Sequence, residues 1–391
     1  MPRGWLAGGV NVYLDHAATA PVLPEAAAAY AEALGRVGNP SSIHADGRAA
    51  RALLEDARER VAAVADAHPT EVVFTSGGTE SVNIAVKGLL WAAGEGRDRV
   101  LVSPAEHRAT LDAAEWLAAR GAQVDLVPVD GVGRVVVPEL ARIIEAGGTR
   151  AVAVLSLLWA NNEIGTIEDV DAVADLAAEV GAPLHWDAVA AFGHVPISFR
   201  RSGATALSIS GHKFGAPIGT GAILVRRGAV PEALVHGGAQ QAARSGTMDV
   251  AGAVALAVAA ESAAAAMASE ERRLRALSGR LARAIEREVP DAVLTGDAEG
   301  RLSGLVHATF PGLLGETLLF VLDQAGYSVS VGSACRAGVA EPSHVLIAIG
   351  LDAAAASSAL RVSLGRTTTE ADVDGFIAAL PAAVAAARTA F

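Results

Sequence analysis

Short apolar runs alternate with longer stretches of helical spacing from residue 47 to residue 225. The apolar runs predict strands at 71–75, 99–103, 123–128, 151–157, 183–186, 206–209 and 222–225. Stretches rich in Ala, Leu, Arg and Glu predict helices at 47–65, 80–93, 109–120, 138–146 and 170–180. Such alternation is typical of βα units around a mostly parallel sheet. The pattern therefore predicts an α/β fold with a seven-stranded, mostly parallel main sheet.

The pattern changes after residue 250, where residues 250–289 read as one long helix, either continuous or broken once. Strands near 304–310, 327–331 and 359–364 follow, with helices from 315, near 342 and at 369–387. This succession predicts a smaller α+β domain. A chain of 391 residues suits about two domains. We place the large domain at residues 15–261 and the small domain at residues 1–14 and 262–391.

Charge and hydropathy narrow the class of protein. The formal net charge of -12 argues against a nucleic-acid partner, which requires a basic surface. The most apolar run, residues 251–268, is dominated by Ala and interrupted by Glu261 and Ser262, which makes it a poor membrane span. The start of the chain shows no signal-peptide pattern. We therefore expect a cytoplasmic protein that binds neither nucleic acid nor membrane.

Cysteine and lysine are scarce, and this limits the candidate chemistry. Cys335 is the only cysteine, which excludes an intrachain disulfide and a multi-cysteine metal site. Lysine occurs only as Lys87 and Lys213. A guanidinium does not form a Schiff base, so a lysine retained in an arginine-rich chain is a candidate for amine chemistry. Lys87 falls within a predicted helix, where a surface charge is the simpler interpretation.

Lys213 follows a predicted strand and lies in a turn rich in glycine and small polar residues. Functional sites of open α/β sheets lie at the carboxyl ends of strands. Ser210 and His212 beside it could donate hydrogen bonds to a phosphate. The alternative is a solvated lysine in a surface loop, and the position in the sequence alone leaves both interpretations open.

A second strand–turn–helix transition contains Gly77, Gly78 and Thr79. A helix N-terminus preceded by glycines presents free N–H groups and a positive dipole end to an anion. The hydroxyls of Thr79 and Ser76 add donors, which suits a phosphate monoester. No Gly-Lys-Ser/Thr follows, so the segment is not a Walker loop.

Two further polar residues follow predicted strands. Asp187 could pair with a protonated ring nitrogen of a cofactor, or it could cap a helix. His107 could stack on an aromatic cofactor and move protons, or it could be a capping or surface histidine. Nothing in the immediate sequence separates these alternatives.

Cys335 and Arg361 are the remaining candidates. Cys335 lies in a stretch rich in Gly, Ser and Ala beside Arg336, where it could be exposed with a lowered thiol pKa, or it could be buried and inert. Arg361 lies on a predicted strand and could bind a substrate carboxylate through its planar guanidinium. It could equally form a surface ion pair.

A series of short motifs runs along nearly the whole chain in a fixed order. They are YLDHAAT at Tyr13, GNPSSIH at Gly38, FTSGGTES at Phe74, AEH at Ala105, ANNEIGT at Ala160, HWDA at His185, SGHK at Ser210, RSGT at Arg244, GSAC at Gly332, EPSHVL at Glu341 and RVSLG at Arg361. Together they resemble the cysteine desulfurases of the class V aminotransferase family, which are fold-type-I enzymes dependent on pyridoxal 5'-phosphate (PLP). The GSAC and EPSHVL motifs resemble the subgroup whose cysteine lies on a long mobile loop.

The resemblance implies a role for each candidate residue. Lys213 would bind PLP covalently and later move protons, Asp187 would pair with the pyridine nitrogen, and His107 would stack on the ring as an acid/base. The phosphate would be held by Gly78, Thr79, Ser210, His212 and, from a second subunit of a homodimer, Thr247. Asn162 would contact the cofactor and, with Arg361, bind the substrate carboxylate. Cys335 would take the sulfur of L-cysteine as a persulfide and release L-alanine.

The implied function is an L-cysteine desulfurase that supplies a sulfur-acceptor protein, for example in iron–sulfur cluster assembly. Other reactions on the same fold stay open: a selenocysteine or other C–S lyase, or a transaminase. A PLP-bound scaffold of low activity in a sulfur-transfer complex is a further alternative.

The sequence departs from the family pattern at three places. Ala190 stands where the family has a glutamine that donates to the phenolic oxygen of the cofactor. Gln241 and Ala242 stand where the family has Glu and Arg before the RSGT motif. The N-terminal motif reads HAATA at residues 16–20 where the family has Asn-Ala-Ala-Thr-Thr. The first two departures leave the rate and substrate preference open.

Overall fold

A seven-stranded sheet organises the first part of the chain in the computed structural model, which describes residues 11–238, 240–241, 243–332 and 341–389. The strands in chain order are β1 (Val12–Tyr13), β2 (Val72–Thr75), β3 (Arg99–Val102), β4 (Gln123–Leu126), β5 (Val152–Leu158), β6 (Leu184–Asp187), β7 (Ala206–Ser210), β8 (Gly221–Val225), β9 (Val293–Leu294), β10 (Leu305–Thr309), β11 (Tyr327–Ser328) and β12 (Ala359–Ser363). The large sheet has the order β2-β8-β7-β6-β5-β3-β4.

Only β8 runs against its neighbours in this sheet, antiparallel to β2 and β7, and the other pairings are parallel. β5, with the sequence VAVLSLL, is buried along its whole length. A strand covered by helices on both faces needs such a continuous apolar run. The mostly parallel seven-stranded sheet predicted from the sequence is confirmed.

Helices connect the strands and cover the sheet. They are α1 (Pro24–Leu34), α2 (Ala45–Val64), α3 (Gly78–Ala92), α4 (Arg108–Ala118), α5 (Val137–Gly147), α6 (Val170–Val180), α7 (Val250–Glu288), α8 (Gly315–Gln324), α9 (His344–Ala348), α10 (Ala353–Ser357) and α11 (Glu370–Thr389). Sequence analysis missed α1 and α10. The buried positions of α1 are Ala26 and Ala33, and alanine gives only a weak apolar stripe.

The later part of the chain has its own core. β10 pairs antiparallel with β9 and β12, and β1 pairs parallel with β11. Leu14, Phe310 and Phe376 belong to one buried apolar cluster there, separate from the cluster beneath the large sheet. α7 is one continuous helix and contributes residues to both clusters. The domain boundaries at 15–261 and at 1–14 with 262–391 stay a prediction.

The long helix α7 is the most apolar helix of the described chain that is long enough to span a membrane. By length and composition it is apolar enough to cross a membrane, but half of its most apolar stretch is buried within the protein. α7 packs against α1 and α2. Core helices with this composition pass the same criterion, so α7 is weak evidence for a membrane span.

Candidate functional site

The carboxyl ends of β5, β6 and β7 border a cavity of about 200 Å³. Eight of the predicted site residues line it: Gly78, Thr79, His107, Asn162, Asp187, Ser210, His212 and Lys213. They come from five separate stretches of the chain. These residues therefore lie together at the edge of the sheet where open α/β folds place their functional sites.

The amine of Lys213 lies inside the protein. A short 3₁₀ turn, Gly211–Lys213, follows β7 directly. Nζ donates to the carbonyl oxygens of Ala17 at 2.7 Å and Ala18 at 3.1 Å. Burial and the charge of Arg361 lower the pKa of Lys213 to about 8, against the opposing effect of nearby carboxylates. A solvated surface lysine does not fit this environment, whereas an amine prepared for covalent chemistry does.

Asp187 ends β6 with a side chain that is 2% exposed. Its Oδ1 accepts a hydrogen bond from the backbone N–H of Val189 at 3.0 Å. No helix begins at this point of the described chain, so the helix-cap interpretation is wrong. Burial raises the pKa of Asp187 to about 6, while the bond to Val189 and the charge of Lys213 act in the opposite direction. A buried carboxylate of this kind favours a cationic partner.

The strand below Asp187 is fixed by a buried polar network. The ring nitrogens of His185 each lie 2.8 Å from a hydroxyl, Nδ1 from Ser156 and Nε2 from Ser208. These two serines lie on β5 and β7, on either side of β6. Burial lowers the pKa of His185 to about 3, so the ring is neutral and its bonds link the three central strands.

His107 combines two of its possible roles. It is the N-cap of α4, where Nδ1 accepts from the backbone N–H of Ala109 at 3.1 Å, and its ring also lines the cavity. Its surroundings lower the pKa to about 4 through desolvation and then through the charges of Lys213 and His344. The imidazole is therefore neutral near pH 7. Because Nδ1 is an acceptor, we assign the ring proton to Nε2.

Gly77 and Gly78, at the start of α3, form a close-fitting glycine cradle at one end of the cavity. Gly77 has φ +145°, a backbone conformation that favours glycine. A Cβ on Gly78 would lie 2.6 Å from Cγ2 of Val189, so only glycine lets α3 begin this close to the turn after β6. The free N–H groups of α3 and the hydroxyls of Thr79 and Ser210 border the same space. This arrangement suits a phosphate.

Arg361 lies on β12 with 4% of its surface exposed, so the surface ion-pair interpretation is wrong. Nη2 forms a buried ion pair with Oδ1 of Asp15 at 2.8 Å, and Nη1 donates to the carbonyl oxygen of Asn162 at 2.8 Å. Nε has no hydrogen-bond partner among the described residues. Arg361 is thus tied to a cavity residue, although it does not itself line the cavity.

Thr247, like Arg361, does not line this cavity. Thr247 lines a separate cavity of about 90 Å³ with Ser76 and Arg244. Arg244 forms an ion pair with Glu80 of α3 at 3.1 Å, which links the RSGT motif to the glycine cradle. Cys335 lies in residues 333–340, outside the residues that the structure describes.

The structure shows the surroundings of two positions at which the sequence departs from the family pattern, Ala190 and Gln241. Ala190 lines the main cavity and also an adjoining one of about 50 Å³, which His16, His194 and Lys213 border as well. A longer side chain at 190 would project into this space. Gln241 bonds both the N–H and the carbonyl oxygen of Phe74 on the edge strand β2, at 3.1 and 2.6 Å.

Sequence analysis missed several residues that support the site. Asp15 pairs with Arg361, and His194 donates from Nε2 to the carbonyl oxygen of Lys213 at 3.1 Å. The HAAT motif supplies the two carbonyls that hold Nζ of Lys213. The motif itself was the available signal, but nothing local relates it to a lysine 196 residues away.

Comparisons with known proteins give a consistent result. The model of the family "Aminotransferase class-V" matches residues 12–376. An IscS-like cysteine desulfurase of Mycobacterium tuberculosis is 47% identical over 384 residues, covering 97% of each chain. The cysteine desulfurase NifS of Azotobacter vinelandii is 39% identical and covers 97% of this chain and 94% of its own.

Solved structures agree with these relatives. A NifS-like protein superposes with a TM-score of 0.89 at 31% identity, covering 96% of this chain and 99% of its own. DndA from Streptomyces lividans superposes with a TM-score of 0.75 at 34% identity, covering 90% of this chain and 99% of its own.

Proposed function

This chain belongs to the class-V aminotransferase family and is a cysteine desulfurase, and we propose that it binds PLP through Lys213 and passes the sulfur of L-cysteine through Cys335. One observation carries the proposal. The buried amine of Lys213, the buried carboxylate of Asp187 and the glycine cradle at Gly78 all border one cavity. These are the groups that a Schiff base, a protonated pyridine nitrogen and a phosphate require.

The residues of the cavity fit this cofactor. When bound, PLP supplies an electron sink that stabilises negative charge beside the α-carbon of the substrate. Asp187 would hold a proton on the ring nitrogen, because a buried carboxylate is stabilised by a cationic partner. Gly78, Thr79, Ser210 and His212 would bind the phosphate. His107 would lie beside the ring in its neutral form, where its Nε2 could move a proton.

Asn162 and Arg361 bind the carboxylate of L-cysteine. The guanidinium of Arg361 is held from two sides, by Asp15 and by the carbonyl oxygen of Asn162, so its direction is fixed before substrate arrives. Its Nε remains as a donor without a partner among the described residues. A charged donor in a buried position binds a carboxylate more strongly than an exposed one does.

The sulfur-transfer step uses Cys335 as the nucleophile. Its thiolate forms a bond to the substrate sulfur while the carbon–sulfur bond breaks, and the carbon takes a proton and leaves as L-alanine. The product on the protein is a persulfide, which a sulfur-acceptor protein then removes. We further propose a cytoplasmic homodimer, in which Thr247 of each chain contributes to the phosphate site of the other.

The test uses purified protein loaded with PLP, supplied with L-cysteine and a thiol reductant. We expect alanine and sulfide in equal amounts, and Cys335→Ser should abolish both products. A transaminase would produce no sulfide and would be indifferent to Cys335→Ser. A scaffold without activity would produce neither alanine nor sulfide, and that result would overturn the proposed function.

A further inference from the structure

Glu106 is a buried carboxyl group to which the proposed reaction gives no role. It precedes His107 in the AEH motif and is 2% exposed. Oε1 accepts from Oγ of Ser103 at 2.8 Å and from the backbone N–H of Leu158 at 3.2 Å. Oε2 is buried and has no hydrogen-bond partner among the described residues. The protein therefore satisfies one oxygen of this carboxyl and leaves the other unpaired.

The bond to Leu158 completes the edge of β5 at the cavity. β3 ends opposite Ser156 of β5. Leu158 lies two residues further along, so its N–H points towards β3 but meets no strand residue that could accept it. Oε1 of Glu106 takes the place of that missing acceptor. The next N–H, that of Trp159, points the other way and donates to the carbonyl oxygen of Asp187 at 2.9 Å.

The loop that precedes His107 is attached at further points. The carbonyl oxygen of Ala105 accepts from Nδ2 of Asn161 at 3.0 Å. The carbonyl oxygen of Glu106 accepts from Nε2 of His344 at 2.8 Å. The side chain of Glu106 adds the bond to β5 itself, immediately before His107. The position of His107 therefore depends on how firmly this loop is joined to the end of β5.

The surroundings of Glu106 favour the neutral form of its carboxyl. Burial raises its pKa well above the ordinary value, against the hydrogen bonds that Oε1 accepts. The charges of Asp187 and Glu168 act in the same direction as burial. The groups that donate to Oε1, a hydroxyl and a backbone N–H, carry no charge. A buried carboxylate without a cationic partner is costly, so the group keeps its proton near neutral pH.

His107 needs this arrangement for its charge state as well as for its position. Its ring lines the cavity, and so does Leu158. Desolvation is the largest cause of its lowered pKa, so the imidazole stays neutral only while its neighbours exclude water. A displacement of the loop or of Leu158 would admit water and allow His107 to take up a proton at a higher pH.

We propose that Glu106 is a positioning residue whose carboxyl joins the loop after β3 to the last residue of β5, and thereby holds His107 and Leu158 in the wall of the cavity. The inference rests on the proposed function, because the acid/base role of His107 belongs to that reaction. A neutral acid suits this position, because it joins the two elements without adding a second negative charge beside Asp187.

Four variants separate the position of the carboxyl from its charge. Glu106→Ala removes both bonds to Oε1, whereas Glu106→Gln keeps an uncharged oxygen that can accept both. Ser103→Ala removes one of the two bonds and provides the same test with a smaller change in stability. Glu71→Ala is the matched control, because Glu71 is also buried and accepts from the backbone N–H groups of His68 at 2.8 Å and Arg227 at 3.2 Å, outside the cavity.

The first measurement uses the protein without cofactor. NMR titration of the ring C–H resonances gives the pKa of His107, and the spectrum of His107→Gln assigns those resonances. We expect Glu106→Ala to raise this pKa by about one pH unit or more, towards the ordinary value of 6.5, because water reaches the ring. Ser103→Ala should raise it by less, and Glu106→Gln and Glu71→Ala should leave it unchanged. A pKa that stays equally low in Glu106→Ala and Ser103→Ala would overturn the positioning role.

The second measurement uses PLP-loaded protein with L-cysteine. We expect Glu106→Ala to release alanine about tenfold more slowly, because a misplaced acid/base group transfers protons slowly. KM should stay within a factor of about two, since Asn162 and Arg361 are retained. Glu106→Gln should keep most of the wild-type rate, and Glu71→Ala all of it.

Equal rates of alanine release in Glu106→Ala and the control would overturn the role of Glu106 in the reaction. A Glu106→Gln variant as slow as Glu106→Ala would overturn it too, because the amide keeps both hydrogen bonds. If the wild type released no alanine, the proposed function would fail instead, and the NMR titration would still decide whether Glu106 positions His107.

Discussion

Asp187 is buried and Lys213 is half-buried, and the loss of solvation moves the pKa of each group towards neutrality. In the protein without cofactor, each charged form therefore lacks much of the solvation that it has in water. The two groups face one cavity, but no direct hydrogen bond joins them among the described contacts. A cationic ring nitrogen next to Asp187 and a covalent bond at Lys213 would relieve both penalties.

The variant Asp187→Asn tests the burial of this carboxylate through the pH dependence of protein stability. The pKa of Asp187 in the folded protein, about 6, is above its ordinary value of 3.8. The folded protein therefore binds this proton more tightly than the unfolded chain does. The resulting stabilisation is present below about pH 4 and is lost as the pH rises through about 6. We expect the stability of the cofactor-free wild type, relative to Asp187→Asn, to fall by about 2 kcal/mol between pH 4 and pH 7. Urea unfolding at a series of pH values measures the difference.

Asparagine keeps an oxygen that can accept from Val189, so the substitution removes the charge and retains the turn. Saturation with PLP should reduce the pH-dependent loss, because a protonated ring nitrogen favours the carboxylate. A difference that does not vary with pH in the cofactor-free protein would contradict the assigned environment of Asp187.

The residues of the site differ in how far the sequence could predict them. Lys213, Asp187 and His107 follow strands within distinctive motifs, so their location at one edge of the sheet followed from local pattern. The pairing of Asp15 with Arg361 joins positions 346 residues apart. Such contacts depend on tertiary packing, which no local pattern encodes.

At the scale of elements, α3 is the helix whose first turn determines the proposed phosphate site. Its N-terminus approaches the turn after β6 so closely that Gly78 leaves no room for a side chain beside Val189. The close contact between the start of α3 and the side chain of Val189 therefore shapes this end of the cavity.

Gly78→Ala is expected to weaken PLP binding at least about tenfold, because the new methyl group displaces the N-terminus of α3 from the phosphate. Val189→Ala removes the Cγ2 atom that the methyl group would contact, so the double variant Gly78→Ala/Val189→Ala should recover much of the affinity. Equilibrium titration with PLP, followed by its absorbance, measures each affinity. Unchanged affinity in Gly78→Ala, or no recovery in the double variant, would contradict the geometry of the cradle.

Most elements could be predicted from apolar periodicity, with boundaries that shift by a few residues. Apart from the edge strand β4, the strands of the large sheet are buried, and their runs of Val, Ile and Leu make them distinct. α1 was missed because its contacts are made by alanines, and the break allowed in α7 is absent because Ala and Leu continue the helix through both cores. β1 and β9 have two residues each, too few for a periodic signal.

At the scale of the whole molecule, we propose that a second copy of the chain completes the site. Thr247 lines a cavity distinct from the one that contains Lys213, although the RSGT motif would place it on the phosphate. A homodimer in which Thr247 crosses to the partner's site accounts for this separation.

Mixed dimers test whether Thr247 of one chain completes the phosphate site of the other. Lys213→Ala is expected to be inactive, and Thr247→Val is expected to bind PLP weakly. After the two variants are unfolded together and refolded, mixed dimers should contain one intact site, so activity at limiting PLP should return to about a quarter of the wild-type value. No recovery in a sample shown by sedimentation to contain mixed dimers would contradict the shared site.

The persulfide on Cys335 tests the central claim most directly. The PLP-loaded protein is mixed with one equivalent of L-cysteine without reductant, quenched with an alkylating reagent, digested and measured by mass spectrometry. We predict a gain of one sulfur atom on the peptide that contains Cys335, together with one equivalent of alanine, and no such gain when Lys213→Ala replaces the wild type. Alanine without added sulfur on Cys335, or neither product, would contradict the account.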